Sequence, residues 1–212
     1  MIILISGFIS SGKDTVGNYL VTQHGFTKLS FAATLKDIIA VMFNWDRSLL
    51  EGDTQHSRQW REEIDHWWAE KLQIPNFTPR FALQYIGTDV LRCHFCDSIW
   101  ILAIENKLRK LGNANIVITD CRYPNERIAL KDSNACSVQV KRGHEPNWVP
   151  VAKLAANGDD HSISKMKEAG VHTSEYAWIN TAFDYTIDNN DTIDTLYEKV
   201  DRILADATKL PR

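Results

Sequence analysis

Cysteine is scarce in this chain, with four among 212 residues, and only Cys93 and Cys96 have the spacing of a metal-ligand pair. No second Cys-x-x-Cys is present to complete a tetrahedral site. The pair lies in a helix-like stretch, residues 90–96, and is expected as buried, reduced thiols. A large excess of either charge is missing too. The net charge is −3, with Lys and Arg scattered along the chain, which argues against a nucleic-acid footprint but leaves room for a few placed cations. No apolar run is long enough to span a bilayer. Met1 leads directly into an apolar segment without a basic n-region or cleavage site, so the sequence reads as cytoplasmic, with no signal peptide and no membrane partner. Internal repeats and low-complexity tracts are absent.

What is present starts at the N-terminus. The apolar run Met1-Ile2-Ile3-Leu4-Ile5 is followed by Gly7-Phe8-Ile9-Ser10-Ser11-Gly12-Lys13-Asp14-Thr15, and then by a helix-like stripe of Val16, Leu20 and Val21 closing at Gly25. A buried strand, a glycine-bounded loop and a helix in that order form a phosphate-binding P-loop. The glycines let successive backbone N–H groups face an anion, the helix presents its positive end, and Lys13 reaches the β and γ phosphates. Gly7, Ser10, Ser11, Gly12, Lys13, Asp14 and Thr15 are therefore expected to bind ATP. The loop departs from the usual pattern at one position: Asp14 stands where Ser or Thr normally holds Mg²⁺, with Thr15 one residue later. A carboxylate is a hard oxygen ligand and can serve the ion or its water shell.

Strand and helix alternate through the rest of the chain. Thr27–Phe31 reads as a strand, and Leu35, Ile38, Ile39, Met42 and Phe43 as the face of a helix. Trp60, Ile64, Trp67 and Trp68 recur at i, i+4, i+7 and i+8, which predicts one helix face packed into a core. A helix is expected from about Pro79 to Phe95, and another, N-capped by Asp97, to Leu111 with Gly112 ending it. Asn115-Ile116-Val117-Ile118-Thr119-Asp120 is a continuous apolar run finishing in an acid, as in a strand buried on both faces of a parallel sheet. Asp120 then stands at the carboxyl end of a strand, where such an acid approaches the Mg²⁺ shell. Ser137–Val140 is a further strand emptying into Lys141 and Arg142. Residues 143–180 show little sustained apolar periodicity and read either as a mobile cover or as a long surface loop. A last strand, Phe183–Ile187, leads into a helix carrying Ile193, Leu196, Val200, Ile203 and Leu204 on one face. The expected fold is α/β: a P-loop NTPase three-layer α/β/α sandwich with a parallel sheet of about five strands. One domain is expected, with its core in residues 1–45, 97–142 and 181–212, a helical region at 46–96 and a lid-like region at 143–180.

Several separated motifs coincide with a known family. Gly7 to Thr15 with its Gly-Lys-Asp-Thr, Phe31-Ala32 with Leu35-Lys36, Arg80 with Leu83-Gln84 and Gly87-Thr88-Asp89, Asp120-x-Arg122 with Asn125-Glu126, Arg142, and Ile187-x-Asn189 together resemble the bacteriophage deoxynucleoside monophosphate kinases. The resemblance implies transfer of the ATP γ-phosphoryl group to a deoxynucleoside monophosphate, with Mg²⁺ as cofactor, in the host cytoplasm. It implies Lys13, Asp120, Arg122 and Arg142 as catalytic residues, and Asp14, Thr15 and Asp120 as the metal side. Lys36, Arg61, Arg80, Gln84, Thr88 and Asp89 would border the acceptor nucleotide in the 46–96 insert and its flanks, and Asn189 and Asn190 would lie near the adenine. Guanidinium forks match phosphate oxygens bidentately, although each arginine taken singly can equally be a surface ion pair. His172-Thr173-Ser174-Glu175 in the lid also resembles a family pattern, without a role assigned to the histidine. A homodimer is compatible with the sequence but not required by it. Two other readings stay open: a P-loop kinase for another small phosphorylated metabolite of the phosphomevalonate kind, and a nucleotide-binding switch without catalysis.

Overall fold

The computed structural model describes residues 1–131 and 134–208. They form two compact units: Met1–Ser30 with Lys107–Arg212, and Phe31–Asn106.

The first unit is built on a five-stranded, wholly parallel sheet. Its strands are β1 (Ile2–Ser6), β2 (Thr27–Leu29), β3 (Ile116–Ile118), β4 (Ala135–Lys141) and β5 (Tyr185–Asp188), in spatial order β2-β3-β1-β4-β5. The expected P-loop α/β fold is therefore observed, and the strand boundaries differ from the sequence expectation by at most two residues. β1 is buried along its whole length, because helices must cover both faces of a parallel sheet. It pairs with β3 through Ile2↔Ile116 and with β4 through Ile2↔Ala135. The strands that follow lie on either side of β1, so its carboxyl end is the topological switch point where open α/β sheets bind ligands. Ile3, Ile5, Val117, Val138, Val140 and Ile187 make the sheet's share of the core. Val16 and Leu20 of α1 (Lys13–His24) and Leu196 and Val200 of the C-terminal helix Ile193–Ala207 pack against them. As expected, α1 closes at Gly25, whose N–H donates to the carbonyl of Leu20.

Residues 143–180 are not the loop that weak periodicity suggested. They hold two helices, Val149–Ala156 and Asp160–Glu168, and a 3₁₀ turn at Thr173–Glu175. These share a small core of Ala152, Ala155, Met166 and Tyr176. Alanine carries much of that core, so the hydrophobic signal is faint in sequence although Ala152 and Met166 are almost wholly buried. Asp159 caps the second of these helices by accepting from the Ser162 N–H, a cap of the usual kind.

The second unit is helical: α2 (Ala33–Phe43), α3 (Gln55–Trp60), α4 (His66–Leu72), α5 (Pro79–Gln84), a π-helical run (Tyr85–Phe95) and the start of α6 (Ile99–Leu111). The single tryptophan face is corrected here. Thr54 caps α3 and Asp65 caps α4, each by accepting from the backbone N–H three residues on, so the chain breaks between Trp60 and His66. A side chain that caps a new helix ends the old periodicity. Trp45, Trp60, Trp68, Phe43 and Phe77 still meet in an aromatic cluster, but Trp67 is 59% exposed. α6 begins at Ile99, two residues past Asp97, whose carboxylate lies 3.6 Å from the buried Arg92 guanidinium. It ends before Gly112 as expected. Cys93 is exposed and Cys96 half-buried, contrary to the expectation of buried thiols; the buried place on that turn belongs to Arg92. In the remaining helices, α7 spans Pro124–Leu130, α8 and α9 are the pair within 143–180, and α10 is the C-terminal helix.

Candidate active site

The P-loop leaves β1 and enters α1 through backbone conformations that few residues tolerate. Ser10 has φ 63° and Gly12, the N-cap of α1, has φ 102°. A Cβ at Gly12 would fall on the Asn189 side-chain amide, so this position demands glycine on both conformational and steric grounds. Asn189 is buried. Its Nδ2 donates to the Ser11 carbonyl at 2.9 Å and its N–H to the Lys141 carbonyl at 2.8 Å. No side chain caps the N-terminus of α1, and Ser11 Oγ is buried with no hydrogen-bond partner. Free helix N–H groups and an orphaned hydroxyl around a glycine turn are the donor set of a phosphate site.

Lys13 Nζ donates to the carbonyls of Gly7 at 2.8 Å and Phe8 at 2.7 Å. Burial, and then the positive charge of Arg122, lower its pKa from 10.5 to about 8, while Asp14, Glu175 and Asp120 pull the other way. Those causes place Lys13, Asp14, Asp120, Arg122 and Glu175 in one electrostatic neighbourhood. Asp14 turns sideways: one carboxylate oxygen accepts from Lys28 Nζ and from Thr119 Oγ1, both at 2.9 Å. Burial works against its ionisation, but the Lys28 hydrogen bond and charge, with Thr119, hold its pKa below the ordinary carboxylate range. Thr15 is half-buried one residue further along α1. Asp120, two residues past β3, accepts from Ser30 Oγ at 2.7 Å, and Ser6 Oγ donates to the Cys121 carbonyl at 2.8 Å. The ends of β1, β2 and β3 are thereby tied together around the loop.

Arg122 pairs with Glu175 at 2.9 Å and donates to the Ser174 carbonyl at 3.1 Å, both through Nη1. Burial disfavours its charge, but Glu175, with Asp120 and Glu126, more than offsets this and raises the pKa above its ordinary value. Arg142 is exposed immediately after β4. Asn190 accepts from the Gly143 N–H at 2.7 Å, so this residue braces the turn after Arg142.

Within the second unit, Lys36 pairs with Glu51 at 2.6 Å and Arg80 with Glu62 at 2.9 Å. Arg61 packs under Gly52. Gln84 ends α5, and Thr88 and Asp89 lie in the π-helical run. With i→i+5 bonding, Thr88 and Asp89 flank the line of Gln84, where an α-helix would align only Thr88 with it. Gly87 admits the Leu35 side chain of α2 against this run, and its carbonyl accepts from Trp100 Nε1 at 3.0 Å.

Sequence reasoning missed Ser30, Lys28, Thr119 and the contact of Glu175 with Arg122. Ser30 and Thr119 sit at strand ends, as Asp120 does, and that position was the available signal; Lys28 gave none, and Glu175 was marked only by the His172-Thr173-Ser174-Glu175 pattern, which does not point to Arg122. Among the described residues no group of three His, Cys, Asp or Glu side chains could hold a metal by itself. Mg²⁺ is commonly bound through one or two carboxylates and substrate phosphates, which fits Asp120, Thr15 and Asp14 beside the loop. No described helix is long and apolar enough to cross a membrane.

No family model matches the chain. It is similar to a protein of Acanthamoeba polyphaga mimivirus named "Putative deoxynucleotide monophosphate kinase", at 25% identity over 99% of each chain. It is also similar to the deoxynucleoside-5′-monophosphate kinase of Escherichia phage T5, at 37% identity over 57 residues, 27% of this chain and 23% of that one. Among solved structures, a shikimate kinase from Aquifex aeolicus (11% identity, all of both chains, TM-score 0.43) aligns with it. So does a dephospho-CoA kinase from Campylobacter jejuni (12% identity, 97% of this chain and 96% of that one, TM-score 0.44). Likenesses that distant carry no weight, and the fold rests on the strand order and the loop. The chain has the P-loop α/β fold and is similar along its whole length to a viral protein named as a deoxynucleotide monophosphate kinase.

Proposed function

We propose that this chain is a phosphotransferase that passes the γ-phosphoryl group of ATP to a deoxynucleoside 5′-monophosphate, giving the diphosphate. The observation that carries the reading is the convergence of Lys13, Asp120 and Arg122 on an uncapped helix N-terminus, in a chain similar end to end to a protein of that name. A phosphate acceptor is already anionic and needs little general-base help, so the protein's work is alignment and charge neutralisation. The P-loop N–H groups, Ser11 and Lys13 would hold the donor phosphates. To do so Lys13 leaves the Gly7 and Phe8 carbonyls. Arg122 and Arg142 would draw the transferring group and the acceptor phosphate together. Thr15, Asp120 and Asp14 are the oxygen donors that would hold Mg²⁺ or its waters, and the ion would supply neutralisation of the phosphate charge. Lys36, Arg61, Arg80, Gln84, Thr88 and Asp89 would form the acceptor side.

The test is an ADP-release assay with ATP, Mg²⁺ and each of the four deoxynucleoside monophosphates, with ribose counterparts and phosphomevalonate as controls. Turnover with at least one deoxynucleoside monophosphate is expected. Turnover only with phosphomevalonate would reassign the acceptor, and ATP binding without transfer to any acceptor would make the chain a switch.

A further inference from the structure

The ion pair between Arg122 and Glu175 joins two parts of the chain with different roles. Arg122 follows β3, and its backbone N–H donates to Glu126 Oε2 at 2.7 Å, so its Cα is anchored to the start of α7. The side chain is another matter. A long guanidinium side chain loses substantial rotamer freedom when held in one place, and Arg122 is also pushed away by Lys13, whose pKa it depresses. Two like charges brought together need an anion between or behind them. The sequence around Arg122 offers Asp120 and Glu126, and Glu126 already serves the backbone N–H groups of Arg122 and Tyr123.

Glu175 supplies that anion from the 143–180 region. Its carboxylate side chain is only 16% exposed, and a carboxylate so placed is costly unless paired. The turn that carries it is fixed at both ends. His172 Nδ1 accepts from the Ser174 N–H at 3.2 Å and lies 2.9 Å from Ser174 Oγ. Tyr176, the next residue after Glu175, is buried in the α8–α9 core. The same turn presents the Ser174 carbonyl to Arg122. Both contacts use Nη1, which leaves the Nη2 side of the fork to meet a phosphate oxygen. A further link runs from this region to the loop itself: Phe8 packs against Trp178 at 4.9 Å and Trp148 at 5.5 Å between ring centroids.

We propose that Glu175 is a positioning residue: with the Ser174 carbonyl it holds the Arg122 guanidinium beside Lys13, so that the two cations meet the transferring phosphoryl group as one preassembled unit. This rests on the phosphoryl-transfer reading given above. In this role Glu175 acts through Arg122 and not on the reacting atoms themselves.

The test compares the wild type with Glu175→Gln, Glu175→Asp, Arg122→Ala and the Glu175→Gln/Arg122→Ala double variant. The monophosphate that turns over best serves as acceptor, ATP binding is measured separately, and thermal melts confirm folding. Glu175→Gln is expected to lower kcat about ten- to a hundredfold while ATP affinity stays within about threefold, the signature of lost alignment. Glu175→Asp should recover much of the loss, and the double variant should be no slower than Arg122→Ala. An unchanged kcat in Glu175→Gln, or a full additional loss in the double variant, would overturn the proposal. A second readout needs no acceptor: the NMR signal of the Arg122 side-chain N–H should be ordered in the wild type and averaged in Glu175→Gln. If no monophosphate is phosphorylated, the kinase reading falls, and this signal still decides whether Glu175 fixes Arg122.

Discussion

Asn189 and Gly12 are 177 positions apart in sequence, yet the Asn189 side-chain amide occupies the space that a Cβ on Gly12 would need and donates to the Ser11 carbonyl beside it. The resemblance placed Asn189 near the adenine of ATP. In the structure its amide braces the loop that would hold the phosphates.

Two substitutions examine this brace. Asn189→Ala removes the donor and leaves the Ser11 carbonyl unsatisfied in a buried setting, which costs about 1–3 kcal/mol; it should lower the melting temperature and weaken ATP binding together. Gly12→Ala should abolish ATP binding through the clash and the positive φ. Adding Asn189→Ala to Gly12→Ala relieves only the clash, so the double variant should melt above Gly12→Ala while still binding ATP poorly. Calorimetry and nucleotide titration check both, and a Gly12→Ala protein that binds ATP normally would refute the loop assignment.

Lys13→Ala should reduce phosphoryl transfer at least about a hundredfold with the fold intact, the scale of losing one main electrostatic contact. Lys13 also leaves a mark on stability in the nucleotide-free protein. Its pKa falls from 10.5 to about 8 on folding, so between those values the unfolded chain holds more protons than the folded one. Stability therefore rises with pH across that window, and the cost of burying the charge is fully present below about 8. Denaturant melts from pH 7.5 to 10 should show this rise in the wild type and a smaller one in Lys13→Met.

Asp14→Asn should raise the Mg²⁺ concentration needed for half-maximal turnover, because it removes a carboxylate next to the loop. The present geometry gives Asp14 a competing duty with Lys28 and Thr119. A Mg²⁺ titration left unaltered by Asp14→Asn would assign the carboxylate to that bracing alone.

The α8–α9 region should unfold separately from the sheet. Met166 is 1% exposed in its small core, and Met166→Ala should cost that region about 2–5 kcal/mol. Hydrogen exchange should show the loss concentrated in residues 149–176 with the sheet protected. Through the Glu175 turn, transfer should suffer more than ATP binding; equal loss of protection in β1 and β3 would show that the two melt as one.

Much of this molecule was legible from local order alone. A fully apolar strand, a loop bounded by Gly7 and Gly12, and a helix closing at Gly25 are adjacent in sequence, so period and backbone preference suffice to read them. Asp120 was readable for the same reason, as an acid ending an apolar run. The failures also have local causes. Thr54 and Asp65 cap short helices and break a periodicity that apolar spacing alone extends. The α8–α9 pair buries alanines, which barely register as hydrophobic pattern. The charged residues around Lys13 come from α1, the segment after β3 and the 173–175 turn, and no pattern along the chain brings Ser30 to Asp120, Lys28 to Asp14 or Glu175 to Arg122. The sequence by itself determined the phosphate loop and the parallel sheet, because both arise from neighbouring residues. Only the tertiary structure decided which side chains brace that loop and which anion holds Arg122, because such pairings depend on strand order and on packing between distant segments.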